Sequence, residues 1–311
     1  MELRDLRTFT TVVEVGGITR AAERLHLVQS AVSQSVKRLE RELGVVLLER
    51  RPEGVRATQA GAALADYARA IHNGVARAER EMAAFRDLER GNVWMGIMPT
   101  ATPLMLRPLL QSLREVHPGL SVSPREGTAG ELMDLVRVGS LDLAVLLAPV
   151  DTAELRDEPL GSIPLAVVVP PGHALAERRQ VRLEELRNER WVSFPPGNPG
   201  RRWLEEACEQ RGFQPVHVTE VETLAQQKIF VAVGDGIAML PEGAAEPEVT
   251  AGELTAIDLS PSPQVVLVCV DDPHQPESRT VAAVRRVLFE SLGARPADRR
   301  IDKTHDAGSI F

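Results

Sequence analysis

A chain of 311 residues, 43% hydrophobic and 26% charged, is long enough for two or three domains, each with its own core. No apolar run approaches the ~18 residues of a membrane span, and Glu2, Arg4 and Asp5 at the start do not read as a signal peptide. The formal charge of -8 would speak against a nucleic-acid partner if it were evenly spread, but residues 1–58 hold 10 Lys and Arg against 8 Asp and Glu. A mildly basic N-terminal piece therefore sits on an acidic body. Cys208 and Cys269 lie far apart in sequence and form no CxxC pair, which suits a reducing cytoplasm.

Leu3, Leu6, Phe9 and Val13 give a first helix, stopped by Gly16-Gly17. Residues 18–40 then read as two short helices with a tight connection. Thr19 is the expected N-cap of the first, and Ala21, Ala22 and Leu25 its small apolar face. In the second, Val32, Val36, Leu39 and Leu43 recur at helical spacing and should be buried. Its other face carries Gln29, Ser30, Ser33, Gln34, Lys37 and Arg38, with no carboxylate before Glu40. Amides, hydroxyls and cations without negative charge suit base edges and phosphates in a major groove. Gln29 and Gln34 are the expected base readers, with Ser33 and the cations on the backbone; the competing reading is a solvated polar face. Residues 46–58 form two short apolar pieces around a Pro/Gly turn, a hairpin or wing whose Arg50, Arg51, Arg56 and Thr58 are expected towards phosphates.

Thr58 caps a long helix over residues 59–88. Leu64, Ala68, Ile71, Val75, Ala78, Met82 and Phe85 alternate at spacings of four and three, an unbroken heptad seam. Such a stripe calls for a partner helix, most simply its own copy, although it could pack on its own domain. A two-fold dimer would present two recognition helices to a pseudo-palindromic site.

From about Gly91 strands and helices alternate in two runs, the second beginning near Ile163. This reads as an α/β body of two lobes with largely parallel sheets, and residues beyond 293 read as a loose polar tail. The first strand ends at Pro99-Thr100-Ala101-Thr102 and the second at Gly127-Thr128, each at a helix start. Hydroxyls beside free helix N–H groups suit a carboxylate or other anion, though Thr128 could equally serve as a helix cap. Arg201 and Arg202, after Gly197-Asn198-Pro199-Gly200, could neutralise an acid or lie on the surface. An enzyme is the rival class: the seven histidines show no metal-type spacing, and no GxSxG or GxxxxGK[ST] occurs.

The ordered series Leu3-Arg4-Asp5-Leu6-Arg7-Thr8-Phe9, Gly17-Ile18-Thr19-Arg20-Ala21-Ala22-Glu23-Arg24-Leu25, Gln29-Ser30-Ala31-Val32-Ser33 and Thr58-Gln59-Ala60-Gly61 resembles LysR-type transcriptional regulators. Gly127-Thr128-Ala129-Gly130-Glu131-Leu132 and Gly234-Asp235-Gly236-Ile237-Ala238-Met239-Leu240-Pro241 look like the family's effector-domain signatures, so the resemblance covers nearly the whole chain. It implies an N-terminal all-α winged helix-turn-helix (residues 1–58), a coiled-coil dimerisation helix (59–90), an effector domain (91–293) and a flexible tail (294–311). The effector domain would comprise two Rossmann-like lobes, as in a type 2 periplasmic binding protein. Lobe I would take about 91–162 and 268–293, and lobe II about 163–267.

The resemblance also implies a cytoplasmic homodimer or homotetramer on an interrupted palindrome in promoter DNA, meeting RNA polymerase if it activates. A small-molecule effector of unknown identity, an organic anion on the residues above, would bind between the lobes, with Ser193, Phe194 and Thr223 lining the cleft. No other cofactor and no metal is implied. Three departures stand out: Val28 where a capping Ser or Thr is usual, Gln34 where Arg is frequent, and Leu48 for Phe. The alternative is a small-molecule-binding protein or enzyme of the same body fold without specific DNA binding.

Overall fold

The computed structural model describes residues 1–52, 54–86 and 91–292, and the chain divides into an N-terminal and a C-terminal unit near Leu88. The expected tail, residues 294–311, lies outside the described residues.

The N-terminal unit holds helices α1 (Leu3–Val15), α2 (Ile18–Leu25) and α3 (Gln29–Leu43), the hairpin β1 (Leu48–Arg51) and β2 (Gly54–Ala57), and the long α4 (Gln59–Arg86). Leu6, Phe9, Leu39, Leu47, Ala65 and Ala68 form one core cluster; Val12, Ala21, Ala22, Val32 and Val36 form a second. Ala21 and Ala22 let α2 cross its neighbours closely. Gly16 ends α1 in the left-handed conformation, φ 65°, that residues with a Cβ rarely adopt. The carbonyl of Gly16 accepts the Val55 N–H at 3.0 Å, tying the wing to the α1–α2 turn.

Two local expectations need correction. Thr19 lies inside the first turn of α2, behind an N-cap Gly17 that supplies no side chain, because Ile18 already packs on the second cluster. Leu43 is 41% exposed, since the helix ends at Gly44 before that position reaches the core.

Asp5 joins α1 to α3. Its carboxylate is 1% exposed and accepts Ser35 Oγ at 2.6 Å, Arg38 Nε at 2.8 Å and Arg38 Nη2 at 2.6 Å. The Arg38 guanidinium holds the Asp5 carboxyl below the usual carboxylate range. Because the folded value is depressed, this contribution to stability is complete above the ordinary unfolded value, near 3.9, and is lost as pH falls through the folded one. Arg38→Met leaves the buried carboxylate without its charge partner. Acid unfolding followed by circular dichroism should begin at higher pH in the variant, and an unshifted transition would contradict this role.

The C-terminal unit follows in the order β3 (Gly91–Ile97), α5 (Thr102–Val116), β4 (Leu120–Glu126), α6 (Ala129–Arg137), β5 (Leu143–Leu147) and β6 (Arg156–Val169). Then come β7 (Gln180–Val181), a 3-10 turn (Leu183–Leu186), β8 (Trp191–Ser193), α7 (Pro199–Glu209), β9 (Val218–Glu220) and α8 (Leu224–Ala232). The remainder is β10 (Ala238–Pro241), α9 (Glu246–Thr250), β11 (Thr255–Leu259), β12 (Gln264–Asp271) and α10 (Arg279–Ser291).

Lobe I carries the order β4-β3-β5-β12-β6, parallel through β4, β3 and β5 and antiparallel across β12. In lobe II, β6 continues between β10 and β11, both antiparallel to it, and a Trp191–Ile237 bridge brings β8 and β9 alongside. The sheets are therefore mixed rather than largely parallel. β6 is one 14-residue strand serving both lobes, not a strand beginning at Ile163. Pro159, Gly161 and Pro164 read as breakers, but the ladder absorbs them with a register shift opposite Leu267/Val268. β12 pairs with β6 along its whole length, from Gln264 opposite Pro164 to Asp271 opposite Arg156, and with β5 over Leu267 to Val270.

Candidate DNA interface and effector cleft

Gln29, Ser30, Gln34 and Lys37 stand exposed along α3, with Ser33 half-buried among them. Val28 occupies the N-cap position and offers no side-chain bond, so neither Gln29 nor Ser30 has taken over the cap. Arg38 is exposed on the same helix, with its guanidinium engaged by Asp5. The Thr58 hydroxyl donates to the Val46 carbonyl at 2.8 Å and accepts the Gly61 N–H at 2.9 Å, capping α4. Arg51 and Arg56 are exposed on the wing, Arg51 only 3.4 Å from Glu49; the side chain of Arg50 lies outside the described residues.

Arg20 was missed, because the sequence places it on a helix whose visible role is packing. It shares a small concavity with Gly16, Gly17, Gln29, Ser33, Arg51 and Gly54, and its Nη2 donates to the Gly16 carbonyl at 3.1 Å. Among the described residues no carboxylate lines that concavity, where the start of α3 meets the wing.

The heptad seam divides in two. Leu64 and Ala68 pack in the unit's own core, which the α1 and α3 side chains complete locally. Ile71, Val75, Ala78 and Met82 are exposed, and Tyr67, not anticipated, continues their stripe at 72% exposure. Phe85's side chain and residues 87–90 lie outside the described residues.

In the C-terminal unit a cleft of about 480 Å³ lies between the ends of strands from both lobes. Thr100, Thr102, Thr128, Phe194 and Thr223 line it, as expected from their places at strand ends and helix starts. The helices α5, α6, α7 and α8 all start at its wall. Thr128 and Glu131 cap α6 reciprocally, with Glu131 Oε2 2.9 Å from both the N–H and the hydroxyl of Thr128, so its carboxyl is held low. Thr223 and Gln226 form the same capping box on α8. The hydroxyl of Thr100, a residue only 8% exposed, has no partner.

Four expected lining residues are absent from the wall. Ala101 and Ser193 are buried behind it, and Arg202 is exposed elsewhere. Arg201 is held by Glu205 at 2.7 Å and lies 3.8 Å from Glu220. Sequence reasoning missed Glu126, Asn198, Glu222 and Lys228, which do line the cleft. Lys228 pairs with Glu248 at 2.5 Å.

A family model described as the bacterial regulatory helix-turn-helix protein of the lysR family matches residues 3–62, and one described as the LysR substrate binding domain matches residues 86–293. The chain belongs to the LysR family. Among relatives of this LysR-family regulator, CfxR of Cupriavidus necator is 31% identical over 85% of this chain and 83% of its own. GltC of Bacillus subtilis is 33% identical over 78% and 81%. A full-length OxyR variant from Pseudomonas aeruginosa superposes with a TM-score of 0.70 at 27% identity, covering 94% of both chains. CbnR, solved with its target DNA, matches at a TM-score of 0.75 and 21% identity over 94% of this chain and 100% of its own, a likeness of fold.

The helix-turn-helix match spans α1 to the start of α4, and the substrate-binding match spans both lobes. This LysR-family chain is thus a DNA-binding transcriptional regulator with an effector-binding domain. Among its described residues no helix is long and apolar enough to cross a membrane.

Proposed function

We propose that the chain is a cytoplasmic homo-oligomer, at least a dimer, that reads an interrupted palindrome in promoter DNA. A small molecule between its lobes changes how the two N-terminal units engage that site. The body is a sensor rather than an enzyme, and RNA polymerase is a partner where the regulator activates. The observation that carries this reading is the exposed α3 face of Gln29, Ser30, Ser33, Gln34 and Lys37, beside Arg20 and Arg51.

Two of the relatives and neighbours, an OxyR mutant of Corynebacterium glutamicum described as H2O2-bound and the hydrogen peroxide-inducible genes activator of Dickeya chrysanthemi, concern peroxide. A thiol trigger is not favoured here. Cys208 and Cys269 are buried, and burial pushes both thiols up to about 12, far from the thiolate that oxidation requires.

The test is fluorescence anisotropy on a duplex from immediately upstream of the gene, beside a scrambled duplex, at two salt concentrations. Lys37→Ala should weaken both duplexes alike and flatten the salt dependence by about one counterion. Gln34→Ala should cost about ten-fold on the native duplex and little on the scrambled one. Equal effects of the two substitutions on both duplexes would remove base reading from this face.

A further inference from the structure

The polar groups around the cleft are arranged for more than an anion. Hydrogen-bond donors line it. Among the described residues, the first-turn N–H groups of Ala129 on α6, and of Leu224 and Ala225 on α8, which line the cleft, have no acceptor. Both helices are nine residues long, so each terminus carries a dipole of useful size. The hydroxyl of Thr100, a residue more than nine-tenths buried and without a partner among the described residues, is a further donor in the same wall. The remaining starts are spent: Pro103 and Pro199 have no N–H, and the Gly200 N–H is taken by Asn198 Oδ1 at 2.9 Å.

Carboxylates line the same cleft, close in sequence to those helix starts. Glu126 and Glu222 both line the cleft, and the only cation that lines it among the described residues, Lys228, is already paired with Glu248. Glu126 accepts the Thr102 hydroxyl at 2.5 Å, which fixes it at the end of β4 beside the α5 start. A plain organic anion would satisfy the N–H groups and leave two carboxylates facing negative charge. A dianion would be worse placed still. A plain amine would leave four donors unsatisfied in a partly enclosed site.

Resting on the cleft reading above, we propose that the effector is a small zwitterion of the amino-acid class. Its carboxylate sits on Thr100 and the α6 and α8 N–H groups, and its ammonium group against Glu126 and Glu222. A cleft of about 480 Å³ leaves room for a side chain beyond these two groups.

The full-length protein is titrated calorimetrically with the twenty proteinogenic L-amino acids, the matching 2-oxo acids and the matching decarboxylated amines. At least one amino acid should bind, with its oxo acid and amine each weaker by about ten-fold or more. The double variant Glu126→Gln/Glu222→Gln should lose about ten-fold for that amino acid and gain affinity for its oxo acid. Thr100→Val, close in shape to the wild type, should lose binding without loss of thermal stability. An oxo acid or amine that binds best, and is lost in Thr100→Val, would overturn the zwitterion and leave the cleft reading standing. Binding that ignores Thr100→Val, or no binding by any of the three classes, would overturn both.

Discussion

Ile71→Glu with Val75→Glu will separate the protein into monomers and lower its affinity for a two-half-site operator by about two orders of magnitude or more. Both side chains are exposed on α4, on the stripe that Tyr67, Ala78 and Met82 extend. An apolar row of this length on a single chain calls for a partner, and heptad spacing selects a helix as that partner. Carboxylates placed there cost nothing in the isolated chain, because Glu favours helix and faces water. In a helix pair they are desolvated against an apolar seam and repel their copies. Sedimentation velocity at micromolar concentration should show the shift, with circular dichroism unchanged. An intact oligomer in the variant would mean that the self-association surface lies elsewhere. The Leu64 and Ala68 positions are unsuitable for this test, since they belong to the unit's own core.

Gly61→Ala will unfold the N-terminal unit preferentially. A Cβ there would lie 2.0 Å from the Leu47 carbonyl oxygen, far inside van der Waals contact. That oxygen belongs to backbone and also accepts the Thr58 N–H at 2.9 Å, so it cannot turn away as a side chain could. The wing entry and the start of α4 would have to part, and with them the Thr58 cap. The expected loss is at or above the ~3 kcal/mol that ordinarily bounds overpacking, equivalent to a fall in Tm of more than about 10 °C for a unit this small. Scanning calorimetry should show the N-terminal unit's transition moving down while the C-terminal unit's stays in place. An unchanged thermogram would show that the two segments separate without cost.

The N-terminal helices were legible because their apolar positions recur at a fixed period and their polar face is chemically one-sided. What periodicity could not show is which part of a stripe a given unit can cover. The α4 seam runs unbroken in sequence, yet its first two members close a core and Ile71, Val75, Ala78 and Met82 stand exposed. Nor could it show Arg38 being engaged by Asp5, 33 residues earlier in the chain. The threonines of the cleft were legible as strand-end and helix-start residues. Glu126, Glu222 and Lys228 were not, because nothing local says which way a side chain turns across two lobes. Arg201 is the opposite case: Glu205, one helical turn on, was in the sequence all along and holds it at 2.7 Å.

The most direct measurement is a selection of duplexes bound by the full-length protein from a random pool, followed by sequencing. A two-fold dimer with α3 in successive major grooves predicts an inverted repeat, its half-sites centred about 10–10.5 base pairs apart or a multiple of that. In the pool selected with Gln34→Ala the preference should relax at one position of each half-site. Recovery of a single unpaired half-site would contradict the dimer, and a pool no different from the input would contradict sequence reading altogether.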